Sequence, residues 1–227
     1  GRTLGVVGLG AIGSLVAKTA LMMGMKVLGY DPALSVDAAW RLPSEVKKME
    51  HLSALFAKSD FVSLHLPVLD STRGLINADA LRDFKKDAVL LNFSRAEIVD
   101  TPSVVDALAA GTIRQYVCDF PHPLTIGVKG VVAMPHIGAS TDEAEDNCAI
   151  MIAEQLKDFL QNGNITNSVN FPGLSLERSG SARLAITNFN VPKMLGSITN
   201  ILADADLNVV DMLNKSRGDI AYNLIDL

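Results

Sequence analysis

The chain has 227 residues, enough for one large or two modest domains, and 48% of them are hydrophobic, so each can bury a real core. A formal net charge of −5 without any cluster of Lys or Arg argues against a nucleic-acid surface and leaves small molecules or other protein chains as partners. No apolar run approaches a membrane span and no signal-like segment opens the chain, so no membrane partner and a cytoplasmic location are expected.

The first strong pattern is Val6-Val7-Gly8-Leu9-Gly10-Ala11-Ile12-Gly13. Leu4, Val6 and Val7 make an apolar strand. Gly8 and Gly10 strip side chains from a tight turn, and Gly13 lets the next helix pack close on the strand. That helix is expected over Ser14 to Met23, stopped by Gly24, followed by a strand over Met25 to Tyr30 that ends at Asp31. The bare N–H groups and positive dipole end at the start of the helix favour an anion. The stretch therefore reads as the pyrophosphate site of a dinucleotide, with Gly8, Gly10, Ala11, Ile12 and Gly13 binding the cofactor.

Pro32 to Lys48 has scattered charge and weak periodicity and is expected to be loop with one short helix. A regular alternation follows: helix over 51–57, strand over 60–67 closed by Pro67, helix over 77–84 and strand over 88–92. Thr101-Pro102-Ser103 starts another helix, with Thr101 as N-cap and Pro102 in first position, and Gly111 ends it. Strands over 115–119 and 130–134 complete the pattern. Continuous apolar strands alternating with helices indicate a doubly wound α/β domain of the Rossmann type, its parallel sheet covered on both faces.

From Ser140, paired with Glu143 as a capping box, a long helix keeps apolar residues at helical spacing up to Gly163 and needs a surface to pack on. The first domain is thus placed at residues 1–163. Residues 164–181, rich in Asn, Gly and Ser, read as a linker. Residues 182–227 give strand (182–187), helix (192–205), strand (208–213), a turn at Ser216 to Asp219, and strand (220–227). That β-α-β-β order is most of a split βαβ unit without its final helix and strand. Gly1 leads almost directly into a strand and Leu227 stops inside one, so the chain is expected to be a fragment. Cys118 and Cys148 lack metal-ligand spacing and read as small core residues, with no metal implied.

Ligands of open parallel sheets gather beyond the carboxyl ends of the strands. Asp31, about twenty residues past the glycines, is placed to accept from an adenosine ribose, and its charge would repel a 2′-phosphate. Arg95 offers a planar cationic fork suited to a carboxylate. His136 is suited to remove a hydroxyl proton while hydride leaves the same carbon. His65 is expected to line the cofactor cleft, and His51 and His122 to be surface residues.

Taken together, Gly8-Leu9-Gly10-Ala11-Ile12-Gly13, Ser63-Leu64-His65-Leu66-Pro67, Leu91-Asn92-Phe93-Ser94-Arg95 and Pro135-His136-Ile137-Gly138-Ala139-Ser140-Thr141 resemble the D-isomer-specific 2-hydroxyacid dehydrogenases, above all those that oxidise 3-phosphoglycerate. The resemblance runs from Gly1 to about Asn170. It implies NAD as cofactor, a 2-hydroxy acid substrate, conversion of 3-phosphoglycerate to 3-phosphohydroxypyruvate at the start of serine biosynthesis, and a homo-oligomer, dimer or tetramer. It assigns Arg95 to the substrate carboxylate and carbonyl oxygen, His136 to proton transfer, and Asp119 to the nicotinamide carboxamide. Leu66, Pro67, Phe93, Ser94, Gly138 and Ala139 fall to the cofactor.

Residues 182–227 resemble an ACT domain, a βαββαβ regulatory module, although Lys193 stands where the loop usually has glycine. Asn190 and Asn208 match amides that hold L-serine in regulated relatives, so a serine effector is expected between ACT domains of two chains. Two departures stand out. Relatives place a Glu before a proline to orient the histidine, whereas Asp119-Phe120-Pro121-His122-Pro123 has none, and Glu97, the glutamate nearest Arg95 in sequence, is the candidate substitute. The substrate domain that precedes the cofactor domain in the family is also absent, so the chain alone is expected to bind cofactor without efficient turnover. The rival readings are a non-catalytic NADH-sensing protein and a dehydrogenase for glycerate, lactate or hydroxypyruvate.

Overall fold

The computed structural model describes residues 1–227 apart from the side chain of Asp37. By contact it divides into two compact units, Gly1–His136 and Ile137–Leu227. The first contains β1 (Thr3–Val7), α1 (Ala11–Met22), β2 (Lys26–Tyr30), α2 (Val36–Ala39), β3 (Lys47–Lys48), α3 (Leu52–Lys58), β4 (Phe61–Leu64), α4 (Ala78–Arg82), β5 (Ala88–Asn92), α5 (Thr101–Ala109), β6 (Ile113–Cys118) and β7 (Val131–Ala133).

These strands form a seven-stranded sheet in the order β3-β2-β1-β4-β5-β6-β7, every pair parallel. The apolar run of β1 follows from this position: Val7 joins a core with Leu55, Val62 and Leu90, while its neighbour Val6 joins one with Leu9, Ala17 and Val27. Successive side chains point to opposite faces of a strand, so both faces are filled. Phe56 and Phe84 stack at 4.5 Å in the larger core. The chain winds outward from β1 to β3, then returns to place β4 on the other side of β1. The β1/β4 gap is therefore the topological switch point, where such sheets take ligands.

The second unit holds α6 (Asp142–Asn162), β8 (Arg183–Phe189), α7 (Met194–Asp204), β9 (Asp211–Arg217) and β10 (Ile220–Asp226). Its sheet runs β8-β10-β9 with β10 antiparallel to both neighbours. β8 and β9 thus run the same way, joined by α7 and split by β10, which is the βαβ arrangement read from the sequence. Residues 164–181, polar enough to suggest a linker, contribute Ile165 and Leu174, which bridge to each other and are buried with Tyr222 and Leu224.

Several local expectations are corrected. β3 was not foreseen, because two lysines carry no strand pattern. The N-cap of α5 is Asp100, whose carboxylate accepts from the Ser103 N–H and hydroxyl, and Thr101 lies inside the helix. A carboxylate at that place also favours the helix dipole. Thr141 caps α6 by accepting from the Ala144 N–H, in place of the Ser140 box. β9 begins at Asp211, so Asn208 lies ahead of it. Cys118 is buried, but Cys148 is exposed, because no residue of α6 is buried and its apolar stripe stays open, including Ile150, Leu156 and Leu160.

What the second unit lacks in apolar bulk it supplies with polar contacts. The Arg183 fork meets the Asp226 carboxylate at 2.5 and 2.7 Å, with 5% and 0% of the two side chains exposed. The remaining donors and acceptors are satisfied: Arg183 also donates to the Asn162 and Leu176 carbonyls, and Asp226 accepts from the Ser179 N–H and hydroxyl. Alongside, the buried Asn223 amide joins Asn214, Asn188 and the Ile186 carbonyl across all three strands, which fixes their register.

The Arg183 hydrogen bonds, outweighing the burial that opposes them, hold the Asp226 carboxyl far below the usual carboxylate range. This stabilisation is therefore complete above the unfolded pKa of about 4 and is lost as pH falls below it. Arg183→Leu strands a buried carboxylate and should lower stability by about 3 kcal/mol in chemical denaturation at pH 7, and by less at pH 3. An equal loss at both pH values would show that the charge pairing is not what the substitution removes.

Candidate active site

The carboxyl edge of the parallel sheet gathers most residues singled out from the sequence. Gly8 follows β1 with φ +90°, and a Cβ built there would strike the His65 carbonyl oxygen at the end of β4. A Cβ on Gly13 would strike the Gly8 carbonyl oxygen, so the helix can cross here only without a side chain. Gly10 differs: its φ is −66° and a Cβ would meet no protein atom within 4 Å. It is the N-cap of α1, with no side-chain cap and no acidic residue in the first turn. The first-turn N–H groups thus lack a side-chain partner and face an anion-ready space.

Asp31, just past β2, accepts from the Leu9 N–H at 2.8 Å with one oxygen and from the Ala33 N–H at 2.9 Å with the other. It pins the glycine loop and keeps lone pairs for a further donor. Beside it opens a cavity of about 600 Å³ lined by Leu9, Leu34, Leu42 and Val46. Lys48, also on its wall, is paired with Glu50 at 3.0 Å.

On the other side of the switch point, Ser94 ties two strand ends together: its hydroxyl donates to the Leu64 carbonyl and accepts from the Leu66 N–H. The buried Asn92 accepts from the Ser94 N–H and donates to the Arg95 carbonyl. Phe93 lies half-buried between them and Pro67 is exposed. This mesh sets the backbone of Arg95, whose exposed fork donates once to the Ser94 carbonyl at 2.7 Å and keeps other N–H groups outward. His65 is half-buried, bonded to the Ser63 hydroxyl at 2.8 Å, and burial pushes its pKa down, which favours a neutral ring lining the cleft. His122 is a local cap, its Nδ1 accepting from the Leu124 N–H, and His51 is exposed at the start of α3.

His136, beyond β7, has its Nδ1 at 2.7 Å from Asp119 Oδ2, and its ring centroid is 4.6 Å from that of Phe120. The partner of the histidine is thus Asp119, which the sequence had assigned to the nicotinamide alone. Among the described residues Glu97 makes no ion pair with Arg95 or His136. The missed signal was register: Cys118 pairs with Ala133, so the residue after β6 lies beside the exit of β7. Gly138 and Ala139 belong to the second unit and are exposed.

Residues 1–138 match the family described as "D-isomer specific 2-hydroxyacid dehydrogenase, NAD binding domain". The chain belongs to that family. Its relatives include the D-3-phosphoglycerate dehydrogenases of Methanocaldococcus jannaschii, 32% identical over 100% of this chain and 43% of that protein, and of Escherichia coli, 33% identical over 100% and 57%. The chain thus spans about half the length of these curated relatives. Among solved structures, the NAD-complexed D-isomer specific 2-hydroxyacid dehydrogenase of Lactobacillus delbrueckii ssp. bulgaricus superposes with TM-score 0.63 at 28% identity, over 74% of this chain and 56% of that one.

NAD is the cofactor of this family's domain, and the chain fits it. The Gly10 approach and uncapped α1 suit the pyrophosphate, and Asp119 Oδ1 is buried without any hydrogen-bond partner, as an oxygen awaiting an external N–H would be. Gly10→Ala should therefore lower stability by no more than about 1 kcal/mol. It should still weaken NAD about tenfold, because the added Cβ would keep the pyrophosphate from closing on a first-turn N–H group. Calorimetric titration beside a melting curve separates the two effects. Unchanged NAD affinity would remove the pyrophosphate from this turn.

Proposed function

We propose that the full-length protein is an NAD-dependent D-3-phosphoglycerate dehydrogenase, oxidising the C2 hydroxyl of its substrate to a ketone. The observation that carries the substrate choice is the reach of the similarity. Two of the D-3-phosphoglycerate dehydrogenases among its relatives match this chain over its full length, split βαβ unit included.

In this reading Arg95 holds the substrate carboxylate and the C2 oxygen with the N–H groups that the Ser94 carbonyl leaves free. His136 removes the hydroxyl proton at Nε2, since Nδ1 faces Asp119. Bound NAD supplies the hydride acceptor. Asp31 accepts from the adenosine ribose, with the neighbouring cavity for the base. The apolar side chains open on α6 support assembly into a homo-oligomer.

The second unit belongs to this proposal as an ACT-like regulatory domain taking L-serine, with Asn190 and Asn208 as its amides. Asn190 already donates to the Gly218 carbonyl at 3.1 Å, which leaves its oxygen for an ammonium donor, and Asn208 is exposed. Calorimetry of serine with the full-length protein should give saturable heat that Asn190→Ala abolishes, and no heat at millimolar serine would remove the effector.

The activity itself is tested by NADH formation from 3-phosphoglycerate beside glycerate and lactate. Turnover is expected with the first far above the others, and a preference for an unphosphorylated acid would overturn the substrate. His136→Ala should lower kcat by about 100-fold or more. Arg95→Ala should lower kcat/KM by about 100-fold with a raised KM, because the lost contact serves ground and transition states alike. Near-normal turnover in His136→Ala would favour an NAD(H)-sensing protein.

A further inference from the structure

We propose that Asp119 and Phe120 are the positioning residues for His136, and that the single Asp119 carboxylate serves both the imidazole and the cofactor amide. The inference rests on the reading of His136 as the proton acceptor and adds what makes that acceptor competent in a chain without the family's orienting glutamate.

The geometry follows from the sheet. β6 and β7 are parallel, paired through Tyr116 with Val131 and Cys118 with Ala133, and the Met134 N–H donates to the Cys118 carbonyl at 2.9 Å. Neighbouring strands lie about 4.8 Å apart, so the first residue past β6 needs only a short side chain to reach the segment leaving β7. Asp119 has that arm. The connection then turns sharply, with Thr125 donating its hydroxyl to the His122 carbonyl at 2.7 Å and His122 Nδ1 capping the turn at Leu124. Phe120 is left with its ring against the imidazole, tilted by 32°. One residue thus holds the edge of His136 and the next holds its face, although 53% of the imidazole side chain is exposed.

Facing an ionised carboxylate, which only accepts, a neutral imidazole at this 2.7 Å contact carries its proton on Nδ1 and presents its lone pair at Nε2. That is the tautomer able to take a hydroxyl proton. With bound NAD to supply the hydride acceptor for C2, Nε2 would take the proton as the O–H bond breaks and the C2–O bond would become a carbonyl. Asp119 stabilises the imidazolium without moving a proton itself. Its other oxygen, buried and unpartnered, is left to accept from the nicotinamide carboxamide. Seating of the cofactor and alignment of the proton acceptor therefore pass through one side chain.

The near-isosteric Asp119→Asn, made in the full-length enzyme, is the test. An amide can accept from the cofactor with its oxygen only by turning its NH2 toward His136, which forces the proton onto Nε2. Nitrogen-15 chemical shifts of His136 in the NAD complex should show protonated Nδ1 in the wild type and protonated Nε2 in the variant. With it, kcat should fall by about 100-fold or more, because an Nε2 that already carries its proton cannot take the one from the hydroxyl. The preference for NAD over its 3-acetylpyridine analogue, which lacks the amide NH2, should shrink in Asp119→Ala. A wild-type ring protonated on Nε2, or an Asp119→Asn enzyme with unchanged kcat, overturns the proposal. If His136→Ala is inactive while Asp119→Asn is not, only this inference fails. If both turn over normally, the dehydrogenase mechanism fails with it.

Discussion

The close passage of β1 under the end of β4 is the constraint from which the site follows. The Gly8 N–H donates to the Tyr30 carbonyl at 2.9 Å and the His65 N–H to the Val7 carbonyl at 2.8 Å, so three strand ends are knitted together where the chain reverses its winding. No side chain fits at residue 8, and none fits at residue 13 where α1 crosses back. The helix therefore starts at once, its first N–H groups open beyond the sheet, and Asp31 completes the loop by holding Leu9. An open helix start suited to an anion is here a by-product of close packing, which is why so few residues specify it.

Across the switch point a second set of buried polar groups does comparable work. Asn92 and Ser94 hold the ends of β4 and β5, and from that fixed backbone the exposed Arg95 projects. Asp119 and Phe120 hold His136 in the same manner. Exposed side chains are thus placed by less exposed groups next to them, as happens where regular elements fix the loops that follow them. The second unit is specified differently. Its sheet has little apolar bulk, and the Arg183–Asp226 pair and the Asn223 amide fix which strands pair and in what register.

The parallel sheet was legible in the sequence because its strands are apolar on both faces, and the glycine turn because sterics admit no side chain at residues 8 and 13. The order of the split βαβ unit was legible for the same periodic reason. What escaped depended on partners distant in sequence. Two lysines at β3 become a strand only by adding to the edge of β2. The residues read as a linker pack because Ile165 and Leu174 find Tyr222, and composition says nothing of such pairings. Asp100 and Thr141 displaced the neighbouring caps read from sequence, a choice between adjacent hydroxyls and carboxylates that local pattern alone does not decide. The partner of His136 escaped because family pattern directed attention to a missing glutamate, while strand register had already set a carboxylate beside it.

Selectivity for NAD at this carboxyl edge would come from the Asp31 carboxylate, which is held by the Leu9 and Ala33 N–H groups and would repel a 2′-phosphate. Titrating the full-length protein with NAD and with NADP, and following tyrosine and tryptophan fluorescence or heat, tests it most directly. NAD should bind at least about tenfold more tightly, the scale of one unfavourable charge contact beside a carboxylate. Equal affinity for the two, or a preference for NADP, would contradict it.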